Sequence, residues 1–264
     1  MNIIALSAFS DNYIWMLHHE QETIVIDPGI AAPVISALKQ HNLQLCAILI
    51  THHHPDHIDG INQLRPYLNN NNNIFAPAKE TIPQPFTPLN TSSTLKLLGL
   101  NIQILDIPGH TSGHIAYYLP AQNSACGTPF EATLFPGDTL FSAGCGRLFE
   151  GTPKQMLASL DLLAALPPQT RVYSAHEYTL SNLRFAQTVE PDNPAIKNHI
   201  TQCQALRALN QPTLPSTIAQ ELKINPFLRS RNASVIKSVQ SKTSTAKDDI
   251  SLFTALRSWK DNFK

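Results

Sequence analysis

The sequence predicts an α/β protein whose first part mixes strands with helices and whose last part is helical. Up to residue 176, short apolar segments rich in β-branched residues alternate with segments whose apolar residues recur at helical spacing. After residue 176 only the helical spacing continues. A chain of 264 residues is long enough to bury a large core in one domain or in two. We therefore predict a division into residues 1–176 and residues 177–264.

The individual elements follow from these patterns. The predicted strands are the apolar segments 2–9, 13–18, 23–27, 45–51, 101–107, 114–119, 132–136 and 171–175. Helices are predicted at 31–41, 57–68 and 153–166 in the first part, and at 179–189, 193–209, 215–222 and 247–262 in the second. The polar residues 238–247 are predicted to form a mobile connection. Many α/β arrangements share such a mixture, so periodicity alone does not select one of them.

The strongest chemical signal in the chain follows the fourth predicted strand. Residues 51–57 read Thr-His-His-His-Pro-Asp-His. Because side chains alternate along an extended segment, His52 and His54 point the same way and suit one shared cation. A purification tag would be terminal and would lack both the interleaved aspartate and the buried strand before it. The run therefore predicts a metal site.

A second pair of donors lies directly after this extended segment. Pro55 ends the extended pairing, and helical spacing begins after it. This makes Asp56 a candidate N-cap and places Asp56 and His57 at the start of a helix that faces the strand end. One turn of the chain thus offers two pairs of ligands that are aimed at neighbouring points.

Three more ligand-type side chains follow predicted strands. His110 and Asp138 each come after a Pro-Gly turn, and His176 directly follows the strand at 171–175. Small and turn-forming residues let the backbone approach a bound ion closely. A lone histidine is more often a core or surface residue, but the order of these residues along the chain indicates a second set of ligands.

The pattern His-x-His-x-Asp-His, followed by a His, a Gly-Asp and a final His, resembles the metallo-β-lactamase superfamily. The segment 137–152 (GDTLFSAGCGRLFEGT), with Ala-His-Glu-Tyr-Thr at 175–179 and Asn-Pro-Phe-Leu-Arg at 225–229, narrows the resemblance to the glyoxalase II family, the hydroxyacylglutathione hydrolases. The resemblance covers nearly the whole chain. It implies a four-layer αββα sandwich as the catalytic domain, followed by a smaller helical C-terminal domain that contributes to substrate binding.

Carried over position by position, the resemblance implies two metal sites that share one carboxylate. The implied ligands are His52, His54, His110 and Asp138 for the first site, and Asp56, His57, His176 and Asp138 for the second. Nitrogen and oxygen donors without cysteine suit zinc, iron or manganese and argue against a closed structural zinc. The expected cofactors are two divalent metal ions per chain, zinc first, with iron or manganese as alternatives.

The implied reaction is hydrolysis of S-D-lactoylglutathione, or of another S-2-hydroxyacylglutathione, to a 2-hydroxy acid such as D-lactate and glutathione. This is the second step of methylglyoxal detoxification. Two dications about 3.5 to 4 Å apart lower the pKa of a shared water. The implied nucleophile is the hydroxide that bridges them, held beside Asp138 and Asp56. The departing thiolate needs no strong acid, and the sequence shows no Ser-His-Asp arrangement that would compete.

Alternatives from the same superfamily keep the metal ligands but change the reaction. A glutathione-persulfide dioxygenase would use one iron and consume oxygen, and a lactamase or an RNA nuclease would act on other substrates. A non-catalytic binding module is a further alternative. All of the implied ligand positions are filled, which favours an enzyme.

Recognition of glutathione requires cations, because the tripeptide carries a carboxylate at each end. The resemblance places Arg147, Tyr178 and Arg229 at positions that contact glutathione, and the planar guanidinium suits a carboxylate. A surface ion pair or a packed aromatic ring is the alternative for each. Phe149 stands where some relatives have a tyrosine, so only packing is expected there. Whether Arg231 replaces a lysine of some relatives is left open.

The roles of three other residues are less direct, and two of them, Asp27 and Cys145, have two interpretations each. Asp27 either orients a ligand histidine from behind or forms a turn before Pro-Gly. His114 is expected to be structural. Cys145 lies beside Arg147, which would lower its pKa, but a small residue packed in a Gly-rich turn is the favoured interpretation.

The amino-acid composition of the chain limits the classes of partner that we expect it to bind. Lys plus Arg equals Asp plus Glu at 19 each, and this zero formal net charge disfavours binding to nucleic acid. The sequence shows no apolar stretch of membrane-spanning length and no leader-like N-terminus, and its four cysteines lack a framework spacing. We expect a cytoplasmic monomer that acts on a small-molecule glutathione thioester, without nucleic-acid or membrane partners.

Overall fold

The computed structural model describes residues 1–70, 72–123, 127 and 129–263. The chain forms two compact units, Met1–Asp106 with Thr111–Gly137, and Ile107–His110 with Asp138–Lys264. The division at residue 176 is predicted from a change in the secondary-structure pattern. Residue 176 itself lies inside the second unit, together with the segments just before and after it.

The first unit carries most of the strands. Its elements are β1 (Asn2–Ala8), β2 (Asn12–His19), β3 (Glu22–Ile26), α1 (Ala31–Gln40), β4 (Gln44–Leu49), α2 (Pro55–Ile58), α3 (Ile61–Leu64), a 3-10 turn (Arg65–Tyr67), β5 (Ile74–Pro77), β6 (Thr87–Leu89), β7 (Leu95–Leu97), β8 (Leu100–Asp106), β9 (Ile115–Leu119), β10 (Gln122–Asn123), β11 (Pro129–Phe130) and β12 (Thr133–Phe135).

The first sheet of this unit has the strand order β1-β2-β3-β4-β5-β6. Its first two pairings are antiparallel, whereas β3, β4, β5 and β6 run parallel. Parallel strands need a crossover, which α1 supplies between β3 and β4. The carboxyl ends of β3 and β4 therefore lie at one edge of the sheet, and the segments that begin at Asp27 and Ile50 leave this edge side by side.

The second sheet of this unit contains antiparallel strands in the order β12-β9-β8-β7. Tyr117 on β9 links the two sheets, because its hydroxyl donates to Ile50 O at 2.7 Å and accepts from Ile50 N at 3.2 Å. Burial raises the pKa of Tyr117, so this hydroxyl keeps its proton. Helices α1 and α3 pack on the first sheet through Val34, Leu38 and Leu64.

The second unit is mainly helical. Its elements are β13 (Leu140–Phe141), β14 (Gly144–Cys145), α4 (Pro153–Ala164), β15 (Arg171–Val172), α5 (Thr179–Val189), α6 (Pro194–Ala208), β16 (Ser216–Thr217), α7 (Ile218–Ile224), α8 (Ala233–Lys242) and α9 (Asp249–Asp261).

Local capping fixes where two of these helices begin. Thr152 and Gln155 form a reciprocal capping box at the start of α4, with Pro153 in the first turn. Asp248 and Ser251 form the same arrangement at the start of α9. These hydrogen bonds satisfy backbone N–H groups that have no partner inside a helix.

Most predicted helices are confirmed, but the segment 57–68 is wrong as a single helix. It forms α2 and α3, because Gly60 lies against the backbone of Pro28 and a Cβ at Gly60 would come within 2.3 Å of Pro28 O. Helix α2 begins at Pro55 with His54 as its N-cap, so the predicted N-cap, Asp56, lies in the first turn instead.

The predicted mobile connection at 238–247 is wrong in its first half. Helix α8 extends to Lys242, because Val235 and Val239 are buried one helical turn apart. The eight predicted strands all overlap observed ones. The strands β5, β6 and β7 were not predicted, since each has only three or four residues and shows no clear alternation.

Within the described residues, no helix combines the length and the hydropathy needed to cross a membrane.

Cys46, Cys145 and Cys203 are free thiols. The fourth cysteine, Cys126, lies outside the described residues.

A buried carboxyl group fixes the β13–β14 hairpin in the second unit. Glu221 on α7 is fully buried, and its Oε2 accepts from Ala143 N at 2.7 Å and from Asn225 Nδ2 at 3.1 Å. Asn225 Nδ2 also donates to the carbonyl oxygens of Phe141 and Gly144. Burial raises the pKa of Glu221 against the opposing effect of these hydrogen bonds. The hairpin, with Ala143 at a φ of 56°, is therefore held by α7.

This arrangement predicts that Glu221→Gln is tolerated and Glu221→Ala is not. Glutamine keeps an oxygen for both donors, whereas alanine leaves them unsatisfied beside a cavity and should cost about 3 kcal/mol. Because the folded-state pKa of Glu221 is raised, the wild type loses stability as the pH rises through that value, and the glutamine variant does not. Urea unfolding at several pH values checks this. A pH-independent difference between wild type and Glu221→Gln would contradict it.

Candidate metal centre

The first unit brings together four of the predicted ligands on the turn after β4. His52 Nε2 lies 3.1 Å from His54 Nδ1. The ring of His52 is 4.1 Å from that of His57, and His57 Nε2 is 3.4 Å from Asp56 Oδ2. Two imidazole lone pairs at such a distance repel each other unless a proton or a cation lies between them. The donor chemistry and spacing therefore fit a divalent ion.

The edge of the parallel sheet explains how this turn is built. Asp27, which follows β3, accepts from Thr51 N at 2.7 Å and from Thr51 Oγ1 at 2.8 Å. Its Oδ2 is also 3.1 Å from His57 Nδ1. Asp27 thus contacts a predicted ligand from behind, which agrees with the orienting interpretation. A Cβ at Gly29 would lie 1.8 Å from Asp56 O, so only glycine permits this approach.

Two further contacts are made to individual predicted ligands in the first unit. Asn12 Nδ2 donates to Asp56 Oδ2 at 2.9 Å. The buried ring of His114 stacks on His52 at 4.6 Å and an interplanar angle of 19°. Gly137, at a φ of 49°, makes room for this stack, because a Cβ there would lie 2.7 Å from His114 Cε1. These contacts agree with a structural role for His114.

The second unit holds the other three predicted ligands around one carboxylate. Asp138 Oδ2 is 3.5 Å from His110 Nε2, and Asp138 Oδ1 is 3.3 Å from His176 Nε2. All three residues are buried. Each oxygen of Asp138 therefore faces a different imidazole of the predicted ligand set.

The orientation of His110 follows from its other nitrogen. His110 Nδ1 lies 2.9 Å from Arg147 O. Because a carbonyl oxygen only accepts, Nδ1 carries the proton, and Nε2 keeps a lone pair that is directed at Asp138. A backbone carbonyl that orients a histidine in this way is typical of metal sites.

Two predicted substrate contacts lie against the rings of predicted ligands in the second unit. Phe149 is 62% exposed and meets the ring of His110 edge-on at 5.2 Å. Tyr178 stacks on His176 at 4.7 Å and 9°. Both side chains therefore border the predicted ligands, as a substrate contact would.

The predicted cation Arg147 is largely exposed and lies in a basic region that the sequence did not predict. Its Nε is 3.6 Å from Asp261 Oδ1 at the end of α9. Burial, followed by the nearby charges of Arg257, Arg184 and Arg147, lowers the pKa of Lys260 to about 8. Cations spaced along a C-terminal helix form no recognisable motif, so only the structure shows this region.

The other predicted cation, Arg229, already binds a carboxylate. Its Nε and Nη2 donate to the two oxygens of Glu190 at 2.7 and 2.8 Å, and both side chains are mostly buried. Although burial opposes it, the hydrogen bonds from Arg229 and Ser234 hold the pKa of Glu190 below its usual value. Arg231 pairs with Asp161 and Asp249. The substrate roles of Arg229 and Arg231 stay predictions.

Cys145 does not have the character of a nucleophile. It is buried, and burial raises the pKa of its thiol, with partial opposition from Arg257. The thiol is therefore neutral at physiological pH, which agrees with the interpretation as a packed residue in a Gly-rich turn.

Comparison with known proteins identifies the family. Residues 9–176 match the model of the metallo-β-lactamase superfamily, and residues 177–263 match the model of the hydroxyacylglutathione hydrolase C-terminus. Proteins named hydroxyacylglutathione hydrolase are 54% identical in Albidiferax ferrireducens, 50% in Cupriavidus taiwanensis and 46% in Vibrio cholerae. Each of these alignments covers 100% of both chains.

Solved structures agree with the family match at the level of the fold. The BLEG-1 B3 metallo-β-lactamase has a TM-score of 0.61 at 24% identity, covering 86% of this chain and 98% of the other. ETHE1 from Myxococcus xanthus has a TM-score of 0.62 at 21% identity, covering 98% of each chain. The predicted fold class, a metallo-β-lactamase fold followed by a helical C-terminal domain, is thereby confirmed.

Proposed function

We propose that this chain, which belongs to the hydroxyacylglutathione hydrolase family of the metallo-β-lactamase superfamily, hydrolyses S-2-hydroxyacylglutathiones to 2-hydroxy acids and glutathione. S-D-lactoylglutathione is the expected substrate, as in the second step of methylglyoxal detoxification. The observation that carries the proposal is the full-length match, at 46 to 54% identity, to relatives of that name. The likeness to other metallo-β-lactamase folds lies below 25% identity and supports the fold alone.

The metal ligands are part of the proposal. We infer that His52, His54, His110 and Asp138 hold one divalent ion, and that Asp56, His57, His176 and Asp138 hold a second. The facing imidazole nitrogens in the first unit and the two-sided contacts of Asp138 in the second support this assignment. Bound there, zinc, iron or manganese would polarise the thioester carbonyl and lower the pKa of the attacking water.

The chain's own residues orient the donors and flank the substrate. Arg147 O holds the proton on His110 Nδ1, and Asp27 lies behind His57. Phe149 and Tyr178 offer aromatic surface beside the ligand rings for the acyl and cysteinyl parts of the thioester. A thiolate is a good leaving group, so no protein acid is required. With the metals bound, Asp56 and Asp138 would be the carboxylates nearest the attacking water.

Binding of the glutathione carboxylates is assigned first to Arg147. Its guanidinium is exposed, and the positive charges of Lys260 and Arg257 lie near it. Arg229 is the weaker candidate, because its Nε and Nη2 already donate to Glu190 and its Nη1 donates to Leu222 O. We further propose a cytoplasmic monomer without nucleic-acid or membrane partners, consistent with the zero formal net charge and the free thiols.

The first test follows the loss of thioester absorbance when zinc-loaded protein meets S-D-lactoylglutathione. Rapid hydrolysis is expected, with its loss after chelation and its return when zinc is added back. Asp138→Ala should lower the rate more than about 100-fold and reduce the metal content. The loss of a residue that only hydrogen-bonds to a metal ligand already lowers metal affinity or activity about 10 to 100-fold. The exposed Asp192→Ala variant is the matched control.

Two outcomes would reject these assignments. Full rate and metal content in Asp138→Ala would overturn the ligand set. Oxygen uptake with glutathione persulfide by a fully loaded sample that hydrolyses no thioester would favour the dioxygenase alternative.

Replacing Arg147 and replacing Arg229 should have opposite effects on KM and on stability. Arg147→Met should raise KM about tenfold, because a charge-assisted hydrogen bond is lost, and should leave the Tm nearly unchanged. Arg229→Met should cost about 3 kcal/mol of stability, because it leaves Glu190 buried without its partner. Steady-state kinetics and thermal unfolding of both variants check this. A tenfold higher KM with an unchanged Tm in Arg229→Met would reverse the assignment.

A further inference from the structure

Glu80 is a buried carboxylate in the first unit that contacts two segments. One segment includes the proposed ligands His52 and His54, and the other directly follows His110. Glu80 Oε2 accepts from His53 N at 3.1 Å and also contacts His53 Nδ1. Glu80 Oε1 accepts from Thr111 Oγ1 and from Gly113 N, each at 2.7 Å. The side chain of Glu80 is 1% exposed. All its oxygen lone pairs are thus directed at two loops far apart in sequence.

The backbone around Glu80 is itself fixed. It follows β5 in a turn where Glu80 N donates to Pro77 O at 3.2 Å and Ala78 N donates to Leu89 O at 2.9 Å. Gly113 leaves space for the carboxylate, because a Cβ there would lie 2.7 Å from Glu80 Oε1 and 2.9 Å from Glu80 Cγ. The contact therefore excludes any side chain at position 113.

The position of His53 shows what this carboxylate controls. His53 lies between His52 and His54 in sequence and belongs to neither proposed ligand set. With both its N–H and its ring held by Glu80, the backbone at residue 53 has little freedom to rotate. The directions of the neighbouring side chains are then set as well, since they alternate about this residue.

The second loop is constrained in the same way. Thr111 directly follows His110 and is fully buried. Its hydroxyl and the N–H of Gly113 both donate to the same oxygen of Glu80. We propose that Glu80 is a positioning residue that sets the geometry of both ligand-bearing loops. This inference rests on the metal centre of the proposed function.

The test measures metal binding without substrate. Cobalt(II) affinity, by chelator competition, and the cobalt visible absorption spectrum are compared in wild type, Glu80→Gln and Thr111→Val. In Glu80→Gln only one of the two side-chain oxygens remains, and an NH2 group replaces the other. The NH2 group faces N–H or O–H donors of one loop and cannot accept from them, so that loop is released. Affinity should fall about 10 to 100-fold, with a changed absorption spectrum. Thr111→Val, which loses only one hydroxyl, should show a smaller loss.

The neighbouring Lys79→Met variant is the matched control. Lys79 is exposed and pairs with Asp106 at 3.1 Å, so its loss should leave the cobalt affinity and spectrum unchanged. In activity assays Glu80→Gln should lower kcat with little change in KM, because the substrate contacts are intact. A merely structural role would lower the Tm without altering the cobalt spectrum of the folded fraction.

The outcomes separate this inference from the proposed function. Wild-type cobalt affinity and spectrum in folded Glu80→Gln would overturn the positioning role. If that variant does not fold, unchanged cobalt binding in Thr111→Val would overturn it. A third result is that the wild type hydrolyses no thioester while the variants bind cobalt more weakly than the wild type. That result would support the positioning role of Glu80 and reject the proposed substrate.

Discussion

Imidazole and carboxylate groups that face one another at short distance are stable only when a cation or a proton lies between them, and this constraint applies to the proposed ligands of both units. In the first unit the nitrogens of His52 and His54 approach to 3.1 Å. In the second unit each oxygen of Asp138 faces an imidazole nitrogen. A divalent ion turns such repulsive sets into ligand sets, and metal binding then contributes to folding stability.

The surrounding residues hold these donors in place and leave little freedom for adjustment. Asp27 fixes the turn at Thr51, and Glu80 contacts both His53 and Thr111. Glycines at 29, 113 and 137 stand where a Cβ would collide with a neighbouring group. The segments that carry the proposed ligands are therefore held in place by residues outside the proposed ligand sets.

The sequence predicted the positions of the longer strands and the fold class, because each depends on local spacing or on a recognised motif. The ligand assignment stays a prediction. It did not predict that 57–68 would divide into two helices, since the cause is the packing of Gly60 against Pro28. The Arg229 pair with Glu190 joins residues 39 positions apart, and no local pattern shows it. Short strands such as β6 also left no readable signal, because three residues carry too little periodicity.

The central claim is that the chain holds two divalent ions that share Asp138. Anomalous diffraction from crystals of the zinc-loaded protein, recorded on both sides of the zinc absorption edge, tests it directly. The account predicts two peaks about 3.5 to 4 Å apart, both beside Asp138. A single peak, or two peaks of which one lies away from Asp138, would contradict it.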